Sequence, residues 1–120
     1  MPISEERHQE LVKSLKRCSE VTLAAALRFE ESHNLDELPT IILGVLERDA
    51  ANPGPEGIAA ATDDSRLIED IGMDSFGMFE VVMTAEEVLG LNVENDEMNH
   101  IRTLGQLKGF LHAKLKEKYS

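Results

Sequence analysis

The chain has 120 residues, which suits one domain with a single core rather than two. It has no tryptophan and one cysteine, and its net charge is -11. This composition excludes a disulfide framework and a cysteine metal cluster, and it disfavours a surface for nucleic acid or anionic lipid. The longest apolar stretch, Val21 to Leu27, is too short to cross a membrane. The first residues, Met1 to Glu6, carry acids where a secretory signal carries bases. A soluble cytoplasmic protein, with Cys18 in a reducing compartment, is the expectation. The charge is uneven: residues 1–34 sum to -1, residues 35–101 to -14 and residues 102–120 to +4.

Taken in chain order, Ser4 is suited to cap a helix whose first turn holds Glu5 and Glu6, where the backbone dipole favours acids. With no Gly or Pro inside it, the pattern predicts one long helix from Ser4 to about Glu31. Leu11, Leu15, Cys18, Thr22, Ala25 and Phe29 step by four and three along one stripe, and Val12, Leu23, Ala26 and Leu27 widen it. Ser32-His33-Asn34 ends the pattern. A second helix is expected from about Asp36 to Ala50, with Pro39 in its first turn. Leu38, Ile41, Ile42, Val45 and Leu46 form its buried face.

Asn52-Pro53-Gly54-Pro55-Glu56-Gly57 closes that helix and opens a long loop to Asp74, a length usually kept for function. Leu67, Ile68 and Ile71 are placed to pin the loop to the core. A third helix is expected from Ser75 to about Gly90, with Phe76, Phe79, Val82, Met83 and Leu89 inward and Glu80, Glu86 and Glu87 outward. Asn95 to Ile101 suits a short helix with Met98 and Ile101 inward. Thr103 is suited to cap a last helix that buries Leu104, Leu107, Leu111 and Leu115 and ends in Lys114, Lys116 and Lys118. No strand alternation and no internal repeat is present.

The most specific stretch is Leu67-Ile68-Glu69-Asp70-Ile71-Gly72-Met73-Asp74-Ser75-Phe76. It sets one serine after an acid, behind a glycine turn, at the start of an amphipathic run. It resembles the prosthetic-group attachment site of acyl carrier proteins, Leu-x-x-Asp-Leu-Gly-x-Asp-Ser-Leu. The resemblance continues through Phe79, Glu80, Val82, Met83, Glu86-Glu87, Leu91-Asn92-Val93, Asp96-Glu97 and Ile101-Arg102-Thr103-Leu104, from about Leu35 to about Lys116. Phe76 stands where leucine is usual, and Gly77 and Met78 stand where polar or acidic residues are common. Residues 1–34 lie outside the pattern.

The resemblance implies an all-α fold: a four-helix bundle of three main helices and one short one, with an additional N-terminal helix. It divides the chain into an N-terminal helical extension, residues 1–34, and a carrier domain, residues 35–118. It implies that Ser75 carries 4'-phosphopantetheine, placed there from coenzyme A by a phosphopantetheinyl transferase that contacts Asp74. It also implies that Glu80, Glu86 and Glu87 meet basic docking patches on acyl-loading, synthase or acyltransferase enzymes. Gly77 and Met78 thin the acids near the arm, and Phe76 and Met78 offer an apolar contact instead. An apolar interior lined by Val45, Phe79, Val82, Met83, Ile101 and Leu107 would shelter the cargo.

Without the surrounding motif Ser75 reads first as an ordinary helix cap, and a phosphodiester there would meet free backbone N–H groups and the positive end of the dipole. A hydrolase is rejected: Gly72 is one position too far for a nucleophile elbow, Met73 fills the next place and no strand precedes. His8, His33, His100 and His112 have no telling spacing. An EF-hand at Asn92 to Thr103 fails, because Glu97 replaces the required glycine and Thr103 the final acid, so no metal site is expected. The expectation is a non-enzymatic acyl carrier for fatty-acid, lipid or polyketide synthesis. The alternatives are an unmodified acidic adaptor and a carrier for an aminoacyl group.

Overall fold

The computed structural model describes residues 3–52 and 57–119. The described residues form five α-helices: α1, Glu5–Ser14; α2, Glu20–Ser32; α3, Leu38–Asp49; α4, Ser75–Leu89; and α5, Leu104–Tyr119. Short 3-10 helices fill Leu35–Glu37, Gly57–Ala60 and Asn95–His100. The described residues hold no strand, only an isolated antiparallel bridge between Arg66 and Thr103. The all-α bundle expected from the resemblance is what the chain adopts. Residues 53–56, expected to end the second helix, lie outside the described residues.

The single N-terminal helix is corrected to two. Ser4 caps α1 by accepting the Arg7 N–H at 3.1 Å. Ser19 then caps α2 by accepting the Thr22 N–H at 3.3 Å, and Arg17 makes the turn between them at φ 72. A second Ser-Glu pair, Ser19-Glu20, thus repeats the signal of Ser4-Glu5 and restarts the helix. The predicted stripe survives the break. Leu11, Leu15, Thr22, Ala25 and Phe29 are all buried, with Cys18 half-buried. Cys18 approaches the Gly44 carbonyl at 3.8 Å, and burial above all pushes its thiol up.

α2 packs chiefly on α3, and α1 lies against α2 and α4. The α2–α3 crossing is close. A Cβ at Gly44 would lie 1.9 Å from Oγ1 of buried Thr22. α3 buries Leu38, Ile41, Ile42, Val45 and Leu46, the whole predicted face. α5 does the same with Leu104, Leu107, Leu111 and Leu115. Thr103 caps α5 through the Gln106 N–H at 3.2 Å, while the Gln106 side chain accepts the Arg102 and Thr103 N–H groups. At the other end of α5, Tyr119 stacks on His33 at 4.0 Å, and Phe29 meets both rings edge-on.

Two arginines bolt the N-terminal helices to the rest. Arg7 forks onto Glu30 at 2.8 and 3.3 Å, and its Nη2 also donates to the Glu87 and Val88 carbonyls in the last turn of α4 at 3.0 and 3.1 Å. A cation there also suits the negative end of the helix dipole. Arg48 sits deeper. It grips Asp49 at 2.9 and 3.0 Å, the Ser14 carbonyl at 2.7 Å and the Thr84 hydroxyl at 2.7 Å. The Arg48 and Asp49 side chains are only 7% and 6% exposed.

Removing one member of a buried ion pair strands the other, at a cost of about 3–5 kcal/mol. Arg48→Met should therefore lower the unfolding free energy by about 3 kcal/mol or more in urea titration, because Asp49, Thr84 and the Ser14 carbonyl lose their shared donor. A loss under about 1 kcal/mol would show that water replaces the guanidinium without penalty.

Candidate functional site

The loop before α4 is anchored rather than free. Leu67, Ile71 and Met73 are buried, whereas Ile68, expected to pin the loop, is 54% exposed. The Leu67 N–H donates to the Arg102 carbonyl and the Leu104 N–H to the Ser65 carbonyl, both at 2.9 Å. Asp70 accepts from the Arg66 guanidinium and from the Arg66 backbone N–H, which hold its carboxyl below the usual range. Gly72 then turns the chain at φ 91, a conformation that favours glycine.

Asp74, not Ser75, is the helix cap. Its carboxylate accepts the Gly77 N–H at 2.6 Å, and Ser75 is the first residue of α4. The Ser75 hydroxyl is therefore released from capping. It belongs to an exposed residue, and among the described residues nothing hydrogen-bonds it. The N–H groups of Ser75 and Phe76 point out of the helix start with no carbonyl to receive them, as at every helix N-terminus. An open hydroxyl beside free donors fits attachment of a phosphodiester.

The face of α4 is rotated from the expected one. Its buried residues are Gly77, Val81, Thr84, Val88 and Leu89. Phe76, Phe79 and Met83, expected inward, are 69%, 60% and 42% exposed. The cause lies at Gly77. A Cβ there would sit 2.7 Å from the Asp49 carbonyl oxygen, so the start of α4 rests directly on the end of α3. Thr84, about two turns further on, faces the same way to meet Arg48. With Gly77 and Thr84 turned inward, the aromatic side of the helix must turn out. Gly77 was legible only as a departure from the family pattern.

The expected cargo chamber is corrected with it. Val45 and Leu107 are buried, Val82 and Ile101 are half-buried, and Phe79 and Met83 stand outside. The interior space beside Val45, Val81 and Leu111 is only about 10 Å³. A surface groove of about 260 Å³ runs instead from Ser75 between α4 and the segment 93–98, lined by Phe79, Val82, Met83, Val93 and Met98. That segment is braced: Glu97 accepts the Glu94 N–H at 2.8 Å and Lys114 at 2.9 Å, and these hold its carboxyl below the usual range.

The acids of α4 are engaged within the chain. Glu86 accepts the Val93 N–H at 3.1 Å, and Glu87 accepts the Ser14 hydroxyl at 2.8 Å. Glu80 and Glu86 are half-buried and Glu87 is exposed, so only Glu87 stands fully outward as expected. Met78 is half-buried against the core. The described residues hold no cluster of three or more His, Cys, Asp or Glu suited to a metal. None of their helices is long and apolar enough to cross a membrane.

A family model described as "phosphopantetheine attachment site" matches residues 36–111. The chain is 35% identical over 60 residues to an acyl carrier protein of Amoebophilus asiaticus, covering 50% of this chain and 75% of that protein. It is 30% identical over 81 residues to an acyl carrier protein of Phenylobacterium zucineum, covering 68% of this chain and 92% of that protein. It is 32% identical over 76 residues to the acyl carrier protein MbtL of Mycolicibacterium paratuberculosis, covering 63% and 81%. A comparison with solved structures finds no significant match. The chain belongs to the acyl carrier protein family. It is a carrier rather than an enzyme, and its cofactor is covalently attached 4'-phosphopantetheine.

Two measurements check this geometry. Gly77→Ala should force α4 away from the Asp49 carbonyl and lower stability by about 1–3 kcal/mol, with Asp74 still able to cap. Asp70 has a lowered carboxyl pKa, so its stabilisation is present above the unfolded value and is lost as pH falls through the folded one. Asp70→Asn should therefore reduce the loss of melting temperature on acidification below about pH 4, relative to the parent. Parallel acid profiles would show that the Arg66 contacts leave stability unaffected.

Proposed function

We propose that Ser75 is the attachment residue, and that a phosphopantetheinyl transferase moves the group from coenzyme A onto its hydroxyl. The observation that carries this reading is the division of labour at the start of α4, where Asp74 caps the helix and leaves the Ser75 hydroxyl open. Asp74 keeps a capping hydrogen bond while its charge remains at the surface for the transferase. When attached, the group supplies a terminal thiol that holds an acyl or ketide chain as a thioester. The groove of Phe79, Val82, Met83, Val93 and Met98 gives an apolar bed beside Ser75. The chain itself orients the arm and shields what lies in the groove.

Residues 35–118 act as the carrier domain and residues 1–34 as an extension docked on it in the same chain. By lying along α4, the extension narrows the face that partners reach. Partner enzymes of fatty-acid, lipid or polyketide synthesis meet α4 at its Ser75 end through Phe76 and Met78. Their basic patches are drawn by Glu80, Glu86 and Glu87, with steering that falls as salt rises. The unpaired thiol of Cys18 suits the cytoplasm. An unmodified adaptor accounts less well for a helix start whose serine is spared from capping.

Incubation with coenzyme A and a phosphopantetheinyl transferase should add one phosphopantetheine to the chain, measured as intact mass. Ser75→Ala should stay unmodified with its helix content and melting temperature unchanged. Modification of the alanine variant would move the site elsewhere, and no modification of the parent by several transferases would favour the adaptor.

A further inference from the structure

We propose that the transferase grips this chain across α4 on a polarised strip: an apolar ridge with a cationic rim on one side and an anionic rim on the other. Its own docking surface is then an apolar recess whose edge facing the N-terminal helices carries carboxylates. This rests on Ser75 being the residue it modifies.

The ridge is Phe76, Phe79 and Met83. With about 3.6 residues per turn they share one narrow sector of α4, next to the sector of Ser75. They are among the most exposed large apolar side chains of the described residues. Beyond the ridge on one side lie Glu80, Thr84 and Glu87, facing a groove of about 580 Å³ whose far wall is α1 and the α1–α2 corner. Lys13, Lys16 and Arg17 line that wall. Among the described residues none of the three has a carboxylate within ion-pair distance, whereas Arg7 and Arg48 in the same groove are already paired. Three carboxylates line the same groove: Glu10 lies 3.9 Å from Arg7, Glu80 is in the field of Arg48, and Glu87 accepts the Ser14 hydroxyl while keeping its charge. On the other side of the ridge, Glu86 and Glu94 line the groove that begins at Ser75.

The transferase is the partner that this surface must fit. Enzymes that act on the cargo reach the end of the arm, but the transferase must bring its reacting groups to the Ser75 hydroxyl itself. A specific interface covers about 800 Å² on each partner, so a footprint centred on Ser75 cannot avoid Phe76 and Phe79. The cationic rim begins beside Glu80, about 7–8 Å further along the helix axis, inside the same footprint. A second copy of the chain is a poor occupant, because two bodies of charge -11 repel. Unpaired rim charges set the approach rate and its salt dependence.

The test uses the unmodified full chain, coenzyme A and the phosphopantetheinyl transferase of the same host. Lys16→Glu is compared with Lys116→Glu, an equal change of net charge at the end of α5. At low salt Lys16→Glu should lower kcat/KM about fivefold more than Lys116→Glu, and the gap should close towards about 0.5 M salt. Phe79→Ser should lower kcat/KM about tenfold at every salt concentration, with an unchanged melting temperature. If Lys16→Glu and Lys116→Glu agree within about twofold, or if Lys16→Glu is faster than the parent, the carboxylate-edged surface is wrong. If the parent dimerises in sedimentation and Phe79→Ser abolishes the dimer, the ridge is a contact between copies and the proposal falls. A parent chain that takes no group at all would instead overturn the assignment of Ser75.

Discussion

The Arg48 guanidinium is the contact on which the arrangement of helices depends. It is nearly buried, so each of its donors needs an acceptor. The acceptors come from three places: its neighbour Asp49, the carbonyls at the α1–α2 corner and the hydroxyl of Thr84 on α4. A buried ion pair is at best a modest source of stability, but it is intolerant of misplacement. It therefore fixes where the corner sits and which way α4 is turned. Asp49 serves twice, since its carboxylate holds Arg48 and its carbonyl lies against Gly77. The seat of the N-terminal extension and the exposure of Ser75 are thus settled within one pair of adjacent residues.

The sequence was legible wherever periodicity alone decides the outcome. α3 and α5 carry leucines, isoleucines and valines at helical spacing with polar residues elsewhere, and those residues are the buried ones. Ser75, Asp74 and Gly72 stood out through the family resemblance of residues 67–76, and the turn at Gly72 and the cap at Asp74 are where that stretch puts them. The face of α4 was not. It is apolar on most sides, so the pattern cannot say which side is covered, and hydrophobicity favours Phe over Gly and Thr. The choice was made by a close approach at Gly77 and a hydrogen bond at Thr84, both of which depend on residues 28 and 36 positions away. The N-terminal break was hidden for a different reason. No Gly or Pro marks it, and the buried stripe runs on through the turn.

A carrier has to be bound by several enzymes in turn and held by none. The packing described here suits that demand. The interior beside α4 is closed, and the space next to Ser75 is a groove at the surface rather than a chamber. The loop that leads to Ser75 is stitched to the start of α5, which fixes where that serine stands. Glu86 and Glu87 of α4 hold short contacts within the chain and keep their charge, because a hydrogen bond from a neutral donor leaves that charge in place.

The turn at Arg17 shows what such a surface asks of the backbone. A left-handed residue with a side chain is less favourable than glycine by roughly 1 kcal/mol. Glycine would relax the corner, but it would remove a guanidinium from the wall opposite α4. Conformational ease and surface charge are in conflict at this one position, and the chain has kept the charge. The corner between α1 and α2 is in that sense a display as much as a connection: a backbone held slightly out of true so that a cation stands where an approaching molecule will meet it.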